Sequence, residues 1–263
     1  MRFSIITICF NSEKTIERTI LSVLNQTYNN YEYIIVDGGS KDATLNIIRK
    51  YEPLFGEKMI WKSEPDKGIY DAMNKGIIRS NGDIIGIVNS DDWLEPNALE
   101  IINECYELHH FATDGVYCGW IKFHYKDGAI QTMRTNHELL VSWSKKYEMA
   151  GIRHPGTFVP KEIYKKYGLF DESIRVMADT DLILRFLFNG VLFYYPERVV
   201  SNMSDGGVSN AQLMKARKDY KIILRKNGVK GLKFYSLYYR WLLKRYAKTY
   251  MPQSILKFYR KKV

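Results

Sequence analysis

An apolar run that ends in two adjacent carboxylates is the feature that most constrains the fold. The run covers residues 84–88, and Asn89-Ser90-Asp91-Asp92 follows it directly. Such a run is typical of a strand buried on both faces of a sheet, and its C-terminal end is where open α/β sheets bind ligands. Neighbouring carboxylates repel each other, so a divalent cation is the leading candidate for what they bind. The alternative is a solvated turn in which Asp92 caps the next helix.

Around this run, short apolar segments alternate with amphipathic segments of helical periodicity. Strands are predicted over residues 3–9, 33–36, 59–61 and 84–88. Helices are predicted from 11–13 to about 26, from 42 to about 51 and over 69–80. This alternation indicates βαβ units and a parallel sheet, and therefore an α/β fold.

Two common nucleotide-binding motifs are absent from the sequence. No GxGxxG follows the first predicted strand, and GxxxxGK[ST] does not occur, which disfavours a dinucleotide turn and a P-loop. Carboxylates stand instead at or just beyond three strand ends, at Asp37, Asp66 and Asp91-Asp92. Acids would repel the phosphates of a nucleotide unless a metal ion bridged them, so the pattern suggests a metal-chelated nucleotide.

The second half of the chain predicts a hairpin and two further helices. Residues 116–125 and 129–133, separated by Lys126-Asp127-Gly128, predict a hairpin with an Asp-Gly turn. A short helix is predicted over 161–167, and an amphipathic helix opens with Ala178-Asp179-Thr180-Asp181.

Charge is distributed unevenly along the chain. The net charge is +10, but residues 215–263 carry 16 Lys and Arg against one acid, and the remainder carries 23 basic and 28 acidic side chains. Tyrosine, tryptophan and leucine alternate with these cations, as in helices that lie on an anionic membrane surface. A helical pair packed on the domain is the alternative, and nucleic acid is not favoured because no nucleic-acid motif accompanies the charge.

Cysteine usage and the N-terminus predict a cytoplasmic protein. The three cysteines are odd in number and follow no paired spacing, which favours a reducing compartment. The chain begins without a secretory signal pattern, and no uncharged apolar stretch is long enough to form a membrane-spanning helix. We therefore expect a peripheral position on the inner face of the cytoplasmic membrane.

Eight short motifs resemble, in their order and spacing, the family 2 glycosyltransferases with the GT-A fold, in particular the bacterial surface-polysaccharide branch. They are SII (4–6), FN (10–11), SVLNQTY (22–28), DGGS (37–40), DKGIYDAMNKG (66–76), NSDD (89–92), GLFDE (168–172) and ADTDL (178–182) with Arg185. The resemblance covers about residues 3–210.

The resemblance implies a Rossmann-like, mostly parallel sheet flanked by helices, with a basic helical C-terminal extension. A GT-A domain would span 1–212, with a nucleotide-binding half over about 1–110 and an acceptor half over 111–212. The extension would span 213–263. The implied activity is an inverting, metal-dependent transfer from a nucleotide-sugar, UDP-linked in our expectation, to a glycan or lipid-linked acceptor.

The resemblance also assigns donor-side residues. Asp37 matches the carboxylate that contacts the nucleotide base, and Ile8 and Phe10 match positions that flank the base. The alternatives are that Asp37 only stabilises the Gly-Gly turn and that Ile8 and Phe10 are ordinary core. Asp66 and Lys67 lie beside the same edge, where Lys67 is either a phosphate contact or a solvated loop lysine.

The family's metal motif is often DxD, and this chain has Ser90 at its first position. Asp92 matches the metal ligand, and Asp91 matches a contact to the ribose or donor sugar. With so few protein ligands, Mn²⁺ or Mg²⁺ would be held mainly by diphosphate oxygens and water.

Asp179 matches the general base of the family, with Asp181 as the fallback. An acid at a helix N-terminus also caps free N–H groups, which is the alternative. His154 is either a contact to phosphate or acceptor or a structural histidine. Residues 204–210 are polar and glycine-rich, which is typical of a lid, and the histidine metal ligand of some relatives is missing because all five histidines precede residue 155.

Two other functions remain open from the sequence. A sugar-phosphate nucleotidyltransferase has a similar sheet and similar metal carboxylates, but it begins with a glycine-rich basic loop that residues 8–12 do not provide. A catalytically inactive, membrane-associated GT-A scaffold would keep nucleotide and metal binding without any transfer.

Overall fold

The computed structural model describes residues 1–148, 152–205 and 213–250. Its strands are β1 (Phe3–Cys9), β2 (Tyr31–Asp37), β3 (Met59–Ser63), β4 (Ile84–Ile87), β5 (Trp93–Leu94), β6 (Gly115–Cys118), β7 (Trp120–His124), β8 (Ile130–Met133), β9 (Thr157–Pro160), β10 (Leu192–Tyr194) and β11 (Val199–Ser204). Its helices are α1 (Ile16–Leu24), α2 (Thr44–Phe55), α3 (Ile69–Arg79), α4 (Ala98–Leu108), α5 (His137–Ser144), α6 (Lys161–Tyr167), α7 (Ala178–Phe188), α8 (Leu213–Lys226) and α9 (Gly231–Tyr250).

A seven-stranded sheet forms the centre of the molecule, in the order β10-β6-β9-β4-β1-β2-β3. All neighbours in it are parallel except β9, which is antiparallel to both β4 and β6. A second sheet of four strands, β5-β11-β7-β8, lies beside it. The predicted α/β class with a mostly parallel sheet is confirmed.

The central strands are buried on both faces, which explains their uninterrupted apolar sequences. Every residue of β1 and β2 is buried, and alternate side chains enter two separate core clusters. Ile5 and Ile35 pack with α1, α2 and α4, whereas Ile6 and Ile34 pack with α3, α6 and α7. Helices therefore cover both faces, and the C-terminal ends of the parallel strands reach one common edge.

Two helices begin later than the sequence predicts. The α1 helix begins at Ile16 because Asn11 adopts a φ of 49° and the Ser12 carbonyl accepts from the amides of Thr15 and Ile16 in a preceding turn. The α2 helix begins at Thr44, whose amide donates to Asp42 Oδ1 at 3.0 Å. The N-cap positions are Thr15 and Ala43, and neither caps its helix through a side chain, so both helix starts were predicted too early.

The predicted strand over 116–125 is divided between the two sheets. Gly119 interrupts it, so β6 joins the large sheet and β7 pairs with β8 in the small one. A Cβ at Gly119 would lie 2.4 Å from Val200 Cγ2, so only glycine allows this close crossing. The β7–β8 hairpin with its Asp-Gly turn was correctly predicted.

The described part of the basic tail forms two helices that contribute to the main core. Tyr220, Ile223 and Leu224 of α8 and Trp241 of α9 belong to the same buried cluster as Ile6 of β1. This is the packing that the helical-pair alternative predicts for their inner faces. Within the described ranges, no helix combines the length and hydropathy needed to cross a bilayer.

Candidate active site

A cleft of about 1190 Å³ lies over the C-terminal ends of β1 and β4. It is lined by residues 8–15, 41, 42, 66–69, 72, 89–91, 175 and 215. Five of the predicted site residues meet there, namely Ile8, Phe10, Asp66, Lys67 and Asp91. The strand ends therefore bring together residues up to 83 positions apart in the sequence.

Phe10 and Asp66 face each other across a glycine. The Phe10 side chain is 60% exposed, so its ring is free to stack on a planar ligand. A Cβ at Gly38 would lie 2.4 Å from Asp66 Oδ2 and 3.3 Å from Phe10 Cδ2. Glycine at position 38 is therefore needed for Asp66 and Phe10 to approach the β2 end.

The acid pair lies in a tight loop between β4 and β5. Asp91 lines the cleft and is half-buried, whereas Asp92 is buried directly behind it. The Asp92 amide donates to the Asn89 carbonyl at 3.0 Å, and Asp92 Oδ1 accepts from the Ser204 amide at 3.0 Å. The end of β11 thus holds the carboxylate that the sequence predicted as the metal ligand.

Burial raises the pKa of both carboxyl groups. The pKa of Asp92 is raised well above its ordinary value, first by burial and then by the negative charge of Asp91. The cation of Arg18 acts in the opposite direction on both groups, but its hydrogen bonds go to the Asp91 carbonyl and to Ser204 Oγ. Arg18 is also stacked 3.5 Å over the Trp93 ring. The pair is thus an incompletely neutralised acid site.

The oxygen atoms around this loop suit a hard divalent cation. Asn89 Oδ1 is buried without a hydrogen-bond partner, close in sequence to the carboxylates of Asp91 and Asp92. Carboxylate and amide oxygens are the ligands that Mg²⁺ and Mn²⁺ prefer. Within the described residues, no group of three or more His, Cys, Asp or Glu side chains is arranged to hold a metal. The residues present fit a weakly held ion with few protein ligands.

Asp37 lies beneath the cleft and does not line it. Its side chain is fully buried, and Oδ2 accepts from the amides of Gly39 and Ser40 and from Ser63 Oγ, at 2.6 to 3.0 Å. Oδ1 accepts from Ser40 Oγ. Burial acts to raise the pKa of Asp37, but these hydrogen bonds together lower it below the ordinary value. The structure thus shows the turn-stabilising role, and the contact to a nucleotide base stays a prediction.

Several cations that sequence reasoning did not assign also line the cleft. Lys14, Lys41, Arg175 and Lys215 join the predicted Lys67 there. The Arg175 guanidinium donates to the Lys67 carbonyl at 2.8 Å, which fixes it against the loop before α3. Lys215 comes from α8, and the only sequence signal for it was its position as the first cation of the basic tail.

Asp179 lies in the first turn of α7, at the edge of a small internal cavity. This cavity of about 20 Å³ is lined by Ile87 of β4 together with His154 and Asp179, and Asp179 does not line the large cleft. Asp179 Oδ1 accepts from the Thr180 amide at 2.7 Å. Burial raises the pKa of Asp179, and the charge of Arg153 lowers it in part. The half-buried Arg153 also interacts electrostatically with Asp92.

Asp181, the fallback base, is engaged in ion pairs. It contacts Arg185 at 2.9 Å and Lys226 at 2.8 Å, and Arg185 also donates to the carbonyls of Tyr167 and Leu169. These contacts tie α7 to α6 and α8. The assignment of Asp179 as the general base, with Asp181 as the fallback, stays a prediction.

His154 is a half-buried side chain with a lowered pKa. Burial and the neighbouring Arg153 lower its pKa to about 4, and Nε2 has no hydrogen-bond partner. Its contact to the cavity of Asp179 distinguishes it from a purely apolar core position. Of the predicted lid, Ser204 and Asp205 are described and the rest lies outside the described residues.

The sequence matches the family model of glycosyl transferase family 2 over residues 4–176. The chain belongs to this family. A PGL/p-HBAD biosynthesis glycosyltransferase of Mycobacterium tuberculosis is 29% identical over 217 residues, which is 79% of each chain. An uncharacterised glycosyltransferase of Rickettsia typhi is 30% identical over 220 residues, covering 80% of this chain and 66% of that protein.

Solved structures of other glycosyltransferases have the same architecture. Residues 1–349 of S. aureus TarS in complex with UDP-GlcNAc give a TM-score of 0.69 at 18% identity, covering 94% of this chain and 73% of that chain. The mannosyltransferase PcManGT of Pyrobaculum calidifontis, in complex with GDP-Man and Mn²⁺, gives 0.63 at 16% identity, covering 88% and 65%. The predicted GT-A fold of this family 2 glycosyltransferase is confirmed.

Proposed function

We propose that this family 2 glycosyltransferase is an inverting, metal-dependent enzyme that transfers a sugar from a UDP-sugar to a glycan or lipid-linked acceptor in surface polysaccharide synthesis. The observation that carries the proposal is the acid pair Asp91-Asp92, held with raised pKa at the edge of a cleft whose lining otherwise carries five cations and three acids. A nucleoside diphosphate with a bound divalent ion carries both signs of charge and would complement both the acid pair and the cations of the cleft.

On the donor side, the protein supplies charge and a flat surface. Asp92, with Asp91 and the Asn89 amide oxygen, would hold Mn²⁺ or Mg²⁺, which when bound neutralises charge on the departing diphosphate. Lys67, Arg175 and the other cleft cations would stabilise the remaining phosphate charge. Phe10 would stack on the base, with Ile8 forming the floor beneath it.

On the acceptor side, Asp179 would act as the general base. Its ionised carboxylate takes the proton of the acceptor hydroxyl while that oxygen bonds to the anomeric carbon and the bond from this carbon to the diphosphate breaks. A single displacement of this kind inverts the anomeric configuration. Arg153 would keep part of the Asp179 population ionised, because a nearby cation favours the charged carboxylate.

The names of the similar proteins support the donor and acceptor classes. TarS was solved with UDP and with UDP-GlcNAc, and PcManGT with GDP-Man and Mn²⁺. The mycobacterial relatives are named for PGL/p-HBAD biosynthesis. We extend these classes to the present chain as a UDP-sugar donor and a cell-surface glycan or lipid-linked acceptor. The protein would work on the inner face of the cytoplasmic membrane, associated through residues 213–263.

A thermal-shift screen of nucleotide-sugars, with and without Mn²⁺, tests the proposal. UDP-sugars with metal should stabilise the wild type, and Asp92→Ala should lose this gain. Asp179→Asn should keep the gain but lose sugar transfer. Asp114→Asn, an exposed carboxylate beside β6, is the matched control and should behave as the wild type.

The alternatives give different results in the same screen. Retained binding of UDP and Mn²⁺ without transfer to any acceptor would identify an inactive scaffold. Release of diphosphate from a nucleoside triphosphate and a sugar phosphate would identify a nucleotidyltransferase. Stabilisation by metal alone, equal in wild type and Asp92→Ala, would contradict the metal site.

A further inference from the structure

The α9 helix is held on the domain by one face only. Leu237, Tyr238 and Trp241 are buried in the main core cluster. The Trp241 ring stacks on Tyr220 of α8, with centroids 4.8 Å apart and planes 16° from parallel. This inner face fixes the orientation of the helix, and therefore also fixes which side chains point outward.

The opposite face of α9 is apolar as well. Leu232, Tyr235, Tyr239 and Leu243 are 90%, 58%, 56% and 70% exposed. Their spacing of three and four residues places them on one side of the helix, and the rings of Tyr235 and Tyr239 stack with centroids 6.4 Å apart. We call these four residues the outer stripe. A helix on a water-exposed surface normally presents polar residues there, so the outer stripe needs a partner.

Cations run along one side of the outer stripe. Lys233, Arg240 and Lys244 are exposed and recur at helical spacing. Lys244 contacts Glu148 at 3.0 Å, which leaves the overall excess of positive charge nearly unchanged. From residue 215 to the end, the chain carries 16 Lys and Arg against the single acid Asp219.

We infer that the outer stripe rests on an anionic lipid surface, with its leucines and tyrosines at the headgroup boundary and its cations against the lipid phosphates. Interfacial helices combine an apolar stripe, amphipathic aromatic rings and a basic flank in this way. A second copy is a poorer occupant, because a symmetric contact would bring two basic rows together. Leu232 and Leu243, at the two ends of the stripe, offer nothing to a nucleic acid. The inference deepens the proposed function and rests on the membrane-side acceptor named there.

Co-sedimentation of the full chain with vesicles tests this assignment. Vesicles of phosphatidylcholine alone are compared with vesicles that also contain phosphatidylglycerol, at low and at high salt. The wild type should bind the anionic vesicles and should bind them less strongly as salt rises, because exposed charges are screened. Equal binding to neutral and anionic vesicles would overturn the assignment.

Surface substitutions separate the outer stripe from the rest of the protein. Leu232→Ser with Leu243→Ser should weaken binding roughly tenfold or more, since each leucine loses most of its transfer into the lipid. Lys233→Gln with Arg240→Gln should weaken it about fivefold for each cation. The matched control is Ile78→Ser with Leu108→Ser, which removes leucine-sized side chains that are 70% and 74% exposed on α3 and α4. Unchanged binding in the stripe variants, or an equal loss in the control, would overturn the assignment.

Two further readouts keep the outcomes distinct. An oligonucleotide that competes with vesicles for binding would show that the outer stripe binds nucleic acid. A dimer that the wild type forms and the stripe variants do not would show that it binds a second copy. Either result would overturn the assignment. Transfer to a soluble acceptor should be unchanged in the stripe variants. A wild type that binds anionic vesicles but transfers no sugar would contradict the proposed function and leave the surface assignment standing.

Discussion

At the scale of single residues, Asp92 combines a cost in stability with a binding role. Its raised pKa means that the folded state binds the proton more tightly than the unfolded state. Stability is therefore highest below the unfolded pKa and falls as the pH rises towards the folded pKa. At neutral pH Asp92 therefore costs the metal-free protein stability, because burial and the neighbouring Asp91 disfavour its charged form, and a bound cation would offset this cost.

We expect Asp92→Asn to raise the stability of the metal-free protein at neutral pH, by about 1–3 kcal/mol, because it removes a carboxyl group whose ionisation burial disfavours. The same variant should lose the stabilisation by UDP and Mn²⁺. Urea unfolding at neutral and at acid pH measures the first effect, which should disappear at acid pH. Asp91→Asn, at the half-buried neighbour, is the control and should show a smaller gain in stability. A loss of stability in Asp92→Asn would contradict this prediction.

The pH dependence of transfer should report Asp179. Because burial raises its pKa, activity should increase with pH through a range above that of an ordinary carboxyl group. Arg153→Gln removes the cation that favours the ionised form of Asp179, so the rise in activity should shift to higher pH. Arg153→Lys retains a cation, so the rise should stay near the wild-type pH. The pH profile of kcat/KM measures both shifts. An identical acid limb in all three proteins would show that Asp179 does not control the rate.

Asp37 can be tested for its two possible roles. Asp37→Asn should cost about 2–3 kcal/mol, because the amide cannot accept all the hydrogen bonds from Gly39, Ser40 and Ser63. Ser63→Ala removes only one of them and should cost about 1 kcal/mol. Urea unfolding gives the stabilities, and binding of UDP against other nucleotides gives base preference. A stable Asp37→Asn with altered base preference would support the direct contact instead.

At the scale of elements, α8 positions α7 through a buried carboxylate. Asp219 Oδ2 accepts from the amides of Val176 and Met177, at 2.6 and 3.2 Å, just before the first turn that carries Asp179. Lys226 of α8 further contacts Asp171 and Asp181, both at 2.8 Å. These contacts make Asp219 a positioning residue for the proposed base.

We expect Asp219→Ala to lower the free energy of unfolding by about 2 kcal/mol, because two buried N–H groups lose their acceptor. In the folded enzyme kcat should fall, while KM for the donor should stay nearly constant. Asp219→Asn retains one acceptor oxygen and should recover part of kcat. Steady-state kinetics with urea unfolding separates the effects, and a change confined to donor KM would argue against a positioning role.

The sequence predicted elements wherever the local pattern was strong. The strands β1 to β4 were found because each contains an apolar run, and α3 because its buried residues recur at helical spacing. The strands β5, β9, β10 and β11 were not found. They are short or polar, and β11 is held by pairing with β5 and β7, which lie about 80 or more residues away.

At the scale of the whole molecule, the sequence likewise predicted the cleft residues that local patterns identify and missed those that depend on long-range packing. Asp66, Lys67 and Asp91 could be placed because strand ends of a parallel sheet meet at one edge. Arg175 and Lys215 could not, because their positions depend on how later helices fold back over that edge. The burial of Asp37 could not be predicted either, because it results from the packing of Ser40 and Ser63 around the Asp37 side chain.

Truncation should destabilise the protein as a whole. Deleting residues 232–263 would remove Leu237, Tyr238 and Trp241 from the main core. Losing a buried tryptophan alone costs about 3–5 kcal/mol, so we expect a large fall in melting temperature. Calorimetry of the shortened chain measures this. If the shortened chain has the same melting temperature as the full chain, α9 contributes little to the stability of the core.

The family match ends at residue 176, whereas Asp179 lies in the first turn of the next helix and Lys215 of α8 lines the cleft. Sequence comparisons of relatives that are restricted to the matched segment therefore omit both residues. Substrate preferences that differ among these enzymes should therefore be sought in the segment behind the match as well as in the motifs by which the relatives are recognised.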